Sequence, residues 1–473
     1  MARWSPDPTL FSATASHSAD ASSREGPAEE LAYVALAAAG NHGQRDAIAV
    51  VDTTPGSATR GQLVGRVDFP HGGNEVRHFG WSSCHSGPSR LTTSTKAAHR
   101  YLVAPGVHSS RIHIIDTKPD PRAPRLLKVI EGDEVTRRTG YIAPHTVHCG
   151  PDRLYVSALG APGGGGPGGI FTLDSETFEV QGAWEKERGP QTQAYDFHWH
   201  ARHGAMITSE WGTPSMLENG VRADMLVAGE YGRALHVWDM ATRRHEQTID
   251  LGAEQQMVLS LCPAHNPARA YGFAGVVLSL DDLSASVYLW YLCREADGSR
   301  GAWSARKVIT IPARPSDPAR LPPLLRERGV VPPLVTHINL SADDRWLYVS
   351  CWGTGELRQY DVTDPFNPVL TGFVRLGGIV RRASHPGTPG TLRNGGPQMT
   401  AISRDGRSLY VTNALYTPWD DQFFPEGIRG WMAKVDAQPG GGLAVDPDFL
   451  VEFEEGLRPH QVRLHGVDGF SAL

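Results

Sequence analysis

The 473 residues carry 45 Lys and Arg against 51 Asp and Glu, a balance of −6 that excludes the basic footprint needed to hold nucleic acid or an anionic membrane surface. A charged fraction of 20% is too low for a disordered or coiled-coil chain, and 40% apolar residues suffice for a sizeable core. The 52 Gly and 35 Pro predict many short elements separated by turns.

Residues 1–28 are rich in Ser, Ala and Pro, with charges of both signs and no apolar core like that of a signal peptide. They predict a disordered N-terminal tail, followed by a single domain over 29–473. The apolar stretch Leu31 to Ala39 falls far short of the ~20 residues of a membrane span, so no membrane attachment is expected. Five cysteines (Cys84, Cys149, Cys262, Cys293, Cys351) are scattered without a Cys-x-x-Cys pair. They predict reduced thiols in a cytoplasmic protein.

Along the chain a short alternating segment recurs, usually closed by Asp. Its copies are Ile48–Asp52, Ile112–Asp116, Ile170–Asp174, Leu235–Asp239, Val287–Tyr291, Leu357–Asp361 and Met432–Asp436. Their ends are spaced by 64, 58, 65, 52, 70 and 75 residues. Each copy is followed by a second β-like run and preceded by others, giving four strands per unit. Seven such units predict an all-β fold, a seven-bladed β-propeller, with an open β-solenoid as the alternative. The first unit lacks an innermost strand, whereas the last is followed by a surplus segment, His460–Leu464. A C-terminal strand completing the first blade closes the ring and removes an exposed edge, which favours the propeller. The Gly163–Gly169 run lacks the Lys-Ser/Thr of a phosphate loop and reads as a turn inside blade three. Pro318–Arg328 reads as a short helix inside an insertion.

The first residues of the innermost strands converge on the channel of a propeller. Counting back from the Ser or Thr that ends each second strand places His145, Asp196, His337 and Met399 there. By order, His78 opens the second blade and His460 the closing strand; Met257 and Ser260 both remain candidates in the fifth. Four imidazoles with a carboxylate and a thioether around one axis make a donor set for a transition metal, and Met favours Cu(I). His198 and His200 share a strand face with Asp196 by the period of two, whereas His148 is expected on the face opposite His145, packed between blades. Cys84, six residues after His78, falls on the same face as that histidine and is a candidate for redox chemistry.

The segments His78-Phe-Gly-Trp-Ser-Ser-Cys84, His145-Thr-Val-His-Cys149, Tyr195-Asp-Phe197, Ser209-Glu-Trp211, Gly396-Pro-Gln-Met399 and Leu415–Asp420 resemble the selenium-binding protein / methanethiol oxidase family. The similarity runs in one register from about Glu30 to His460. It implies a propeller that oxidises methanethiol with O2 and water to formaldehyde, hydrogen sulfide and hydrogen peroxide. Copper is implied for bacterial members, and selenium binding or protein transport for animal ones. The family's inner histidines match His78, His145 and His460. In place of acids usual in the family, this chain has His337 and, near the fifth blade's start, Ser260; Gly87 replaces the second Cys of a Cys-x-x-Cys.

The expectation is therefore copper-dependent oxidation of a small thiol by O2, with His78, His145, His337 and His460 as metal ligands. Asp196 would orient an imidazole or move a proton, and Cys84 would assist catalysis. The alternatives are a non-enzymatic selenium- or protein-binding platform and, last, a calcium-dependent lactonase, which needs converging acids rather than imidazoles.

Overall fold

The computed structural model describes residues 29–39, 43–83, 100–150, 153–294 and 300–466. The predicted tail and Cys84 both lie outside these residues. Seven four-stranded antiparallel sheets form the blades of a β-propeller. Blade three shows the common plan: Ile142–Cys149 innermost, then Arg153–Gly160, Gly169–Asp174 and Val180–Ala183 at the rim.

The recurrent Asp closes the third strand because its carboxylate caps the following turn. Asp52 accepts from the Thr54 N–H, Asp116 from Lys118, Asp174 from Glu176, Asp239 from Thr242 and Asp361 from Thr363. Blade five has Tyr291 at that position, and its third strand runs on over Ala285–Arg294. Third strands are buried along most of their length. Rim strands such as Arg244–Asp250 alternate exposed and half-buried residues, the pattern of a sheet with one wet edge.

Closure follows the expectation. Leu457–Leu464 pairs antiparallel with Leu31–Ala38, and the sheet order puts it innermost in blade one. Leu31–Ala38 is almost wholly buried, so without its partner an apolar edge and its backbone groups would face water.

Four of the long connections among the described residues leave from one face of the ring. Segments around 213–231 and 413–430 join second to third strands, and those around 313–334 and 377–398 join neighbouring blades. They carry short helices, Pro214–Leu217, Ala223–Val227 and Thr417–Phe423. The predicted helix at Pro318–Arg328 is two 3-10 turns, Pro318–Arg320 and Pro323–Arg328. Proline at the head of each explains the break, because it fixes the first residue of a turn and removes an N–H donor. Leu217, Leu325, Tyr416 and Trp419 from these segments, with Trp211 and Trp352 just past the second strands of blades four and six, belong to one apolar cluster that roofs the channel at the end where the inner strands begin.

A chain ending at Gly456 is expected to lose cooperative melting and to elute as aggregate, because blade one is left as an open three-stranded sheet; a single sharp melt close to that of the full chain would contradict closure.

Candidate metal centre

The inner strands do not run straight into the channel. Register shifts of one residue interrupt them in blade three between Pro144 and Val147, in blade five between Val258 and Leu261, and in blade six between Val335 and His337. The closing strand of blade one carries the same device between Pro459 and Val462. A bulge adds one residue and moves every later side chain to the other face. This corrects the expectation for His148. The bulge turns its side chain onto the channel three residues after His145, and it lines the central cavity instead of packing between blades.

The bulges also free backbone donors, and functional side chains take them. The Leu261 N–H donates to Asp196 Oδ2 at 2.9 Å and the Phe197 N–H to Oδ1 at 2.8 Å, which fixes the carboxylate. The Thr146 N–H donates to Ser157 Oγ at 3.0 Å. Gly80 is required where blades two and three touch: a Cβ there would stand 2.6 Å from the Val147 carbonyl oxygen, between His78 and His148 in the wall.

Around the axis the side chains form two groups. His460, His78 and His145 come from blades one, two and three in succession. The His78 and His145 ring centroids lie 4.2 Å apart and those of His78 and His460 5.0 Å apart; the last two face each other with Nε2 atoms 3.4 Å apart. The Ala414 carbonyl, 2.7 Å from His460 Nδ1, accepts the proton there and leaves the Nε2 of the neutral ring as a bare lone pair facing His78. Tyr195 packs on His145 at 4.5 Å.

Asp196 anchors the second group. His148 Nε2 is 3.3 Å from its Oδ1 and His198 Nε2 3.8 Å from its Oδ2, and the three donor atoms lie within 4.8 Å of one another. His337, from blade six, faces the same space, with Nδ1 3.2 Å from Thr400 Oγ1. His78, His148, Asp196, His198, Ser260 and His337 all line one cavity of about 90 Å³, and Met399 also borders it. Met257, the other fifth-blade candidate, adopts a left-handed backbone (φ 65°) and joins the apolar roof. His200 lies further along its strand, bonded to the Arg269 carbonyl.

Burial keeps these imidazoles neutral. Desolvation pushes His145, His148 and His198 down to about 3 and His337 to about 4, and holds His78 and His460 well below the usual value. Positive charge adds to this: Arg77, buried against Glu75, lowers His145 and His460, and Arg463 lowers His78, His148, His198 and His337. Desolvation raises Asp196, opposed by His198 and by the two backbone donors. A neutral imidazole with a free lone pair is the ligating form, so the donor chemistry suits a transition metal.

His198, left out of the expected ligand set, joins the centre beside Asp196, and the Asp196-x-His198 spacing is the signal in the sequence for it. Cys149 is disulfide-bonded, which corrects the expectation that every cysteine is a reduced thiol and weakens the cytoplasmic assignment drawn from it. Cys262, Cys293 and Cys351 are free and buried. Among the described residues no helix is long and apolar enough to cross a membrane.

The sequence profile of the 56 kDa selenium-binding protein (SBP56) matches residues 5–473. The chain belongs to this family. It is 37% identical to the methanethiol oxidase of Xenopus laevis over 470 residues, 94% of this chain and 95% of that protein. It is likewise 37% identical to the Homo sapiens methanethiol oxidase over 469 residues, covering 94% of each. A hypothetical selenium-binding protein from Sulfolobus tokodaii superposes with a TM-score of 0.89 at 48% identity, covering 95% of this chain and 96% of that one. A periplasmic gluconolactonase from Pseudomonas aeruginosa shares the fold alone, at 13% identity and a TM-score of 0.53 over 92% of this chain and 99% of that one.

The neutral imidazoles make stability depend on pH. In the unfolded chain they take up protons near pH 6.5, whereas in the native state they stay neutral to about pH 3–4. The unfolded state therefore binds more protons below pH 6.5, and each histidine withdraws about 1.4 kcal/mol per pH unit on acidification. Asp196, raised in the native state, acts in the opposite sense as a single group. Metal-free protein is expected to melt lower at pH 5 than at pH 7.5; an equal melting temperature at both would contradict the buried neutral cluster.

Proposed function

We propose that this family member oxidises methanethiol or a similarly small thiol with O2 and water, giving formaldehyde, hydrogen sulfide and hydrogen peroxide, at a copper ion. His78, His145 and His460 hold the ion, with His337 facing it from across the channel. The observation that carries this reading is the meeting of three neutral imidazoles from consecutive blades, two of them with Nε2 atoms 3.4 Å apart. Tetrahedral bonds of 2.0–2.1 Å need donor separations of about 3.3 Å, so the pair fits an ion with little movement. The methanethiol oxidases named above support the substrate class.

Copper, when bound, supplies a redox-active centre that takes a thiolate and exchanges electrons with O2. The protein does the rest. Cavity size selects the substrate, since about 90 Å³ admits a molecule of only a few heavy atoms. The aromatic roof excludes water from the strand-start end. His460 is held in one tautomer by the Ala414 carbonyl. Asp196 is a positioning residue whose charge steadies His198 and His337. The Arg463 and Arg77 charges that keep the rings unprotonated also favour the thiolate over the thiol.

Purified protein is expected to carry copper and to consume O2 and release peroxide on methanethiol. His145→Ala and His337→Ala are expected to lower bound copper and to cut turnover at least tenfold. Unchanged copper by elemental analysis in both variants would remove the assigned site. Copper-loaded protein that releases no peroxide from small thiols would instead favour the binding platform, for selenium or a protein partner.

A further inference from the structure

The Asp196 group has a different character from the all-imidazole one. It offers two nitrogens and a carboxylate, all three residues buried, on the wall of the same cavity. Hydrogen bonding accounts for only part of its geometry. At 3.8 Å, His198 Nε2 is too far from Asp196 Oδ2 for a hydrogen bond, and 3.3 Å to His148 Nε2 is at the long limit. Both rings nevertheless turn Nε2 toward the one carboxylate. The carboxylate is anchored from behind by the Leu261 and Phe197 N–H groups, which is the outer-shell support metal-bound carboxylates have. Donor separations of 3.3 and 3.8 Å lie at and half an ångström above the about 3.3 Å needed around a tetrahedral ion with 2.0–2.1 Å bonds, a gap that a small ring rotation closes.

We propose that His148, Asp196 and His198 form a second metal site, distinct from the His78–His145–His460 group. It takes a divalent ion of borderline softness, of the zinc or ferrous class, for which two imidazoles and a carboxylate are a suitable set. Three protein ligands leave a coordination position open on the cavity side, where water or a sulfide would bind. The site does not depend on the thiol-oxidation reading, because its donors and geometry are separate from the proposed copper ligands.

The test uses Co2+ as a spectroscopic probe on the full-length protein stripped of metal by chelator. Wild type is expected to take up Co2+ with the intense visible bands of low coordination number and to melt higher with Co2+ present. His198→Asn and His148→Gln are each expected to lose one Co2+ equivalent, or at least tenfold in its affinity, while His145→Ala keeps it. Copper content in His198→Asn is expected to match wild type, so failure of the copper reading and failure of this one are separable. Three results would each overturn the second site: no Co2+ uptake or thermal shift in wild type, uptake unchanged in a folded His198→Asn or His148→Gln variant, or the same equivalent lost in His145→Ala. Two ligand variants are included so that misfolding of one leaves the other to decide.

Discussion

Among the described residues the blades are hydrogen-bonded to one another only through isolated bridges and bonds, so the relative positions of the channel side chains depend on a few hydrogen bonds at the starts of the inner strands. Ser157 Oγ donates to the Tyr195 carbonyl of the next blade at 2.7 Å, and Ser209 Oγ to the Leu259 carbonyl at 2.7 Å. Asn339 Nδ2 donates to the Thr400 carbonyl at 3.1 Å, and Thr412 Oγ1 to the His460 carbonyl. Between blades one and two, Gln461 Oε1 accepts from the Phe79 N–H and Arg463 Nε donates to the Phe79 carbonyl, both at 2.6 Å. Most of these groups are buried, and breaking one leaves a partner unsatisfied at a cost of about 1–3 kcal/mol. His78, His145, Asp196 and His460 each sit within one or two residues of such a bond. The ring is thereby held in register where its chemistry-bearing residues converge.

The same junctions explain why so many polar side chains reach one small space. A regular strand sends alternate residues inward, which for His145-Thr-Val-His148 would place one imidazole in the channel and the other between blades. The bulge in blade three lets His145 stack on His78 and turns His148 into the cavity. In blade five the bulge presents Ser260 to the cavity and releases the Leu261 N–H to hold Asp196. Local irregularity in one blade thus fixes a functional group contributed by its neighbour.

This distinguishes what the sequence made legible from what it did not. The repeat was readable because the Asp that closes most third strands answers a local need, in five blades a carboxylate capping a turn within two or three residues, and local needs leave fixed spacings. Closure was readable from a strand count, since one unit lacked what the chain end supplied. Convergence of His78, His145, His337 and His460 on the axis followed from blade equivalence alone. The face of His148 was not readable, because a bulge costs a single residue and has no compositional mark in Pro144–Val147. The roof was legible only in part: Trp211 and Trp352 each stand two residues after a Ser at the end of a second strand, whereas Trp419 belongs to the 413–430 connection, outside the repeat.

Charge explains how two donor groups of different kinds coexist around one channel. Each histidine there is deprived of water, and the nearest full charges are two guanidiniums, Arg77 and Arg463, against the single carboxylate of Asp196. Arg77 is partly neutralised by Glu75, whose carboxylate it contacts directly. The net field disfavours protonated imidazole and favours a bound anion. Near His78, His145 and His460 the lone pairs meet no carboxylate, which suits a softer ion of lower charge. Near His148 and His198 the Asp196 charge offsets a divalent one. The position of one carboxylate, set by two backbone donors, therefore gives the channel two chemical environments.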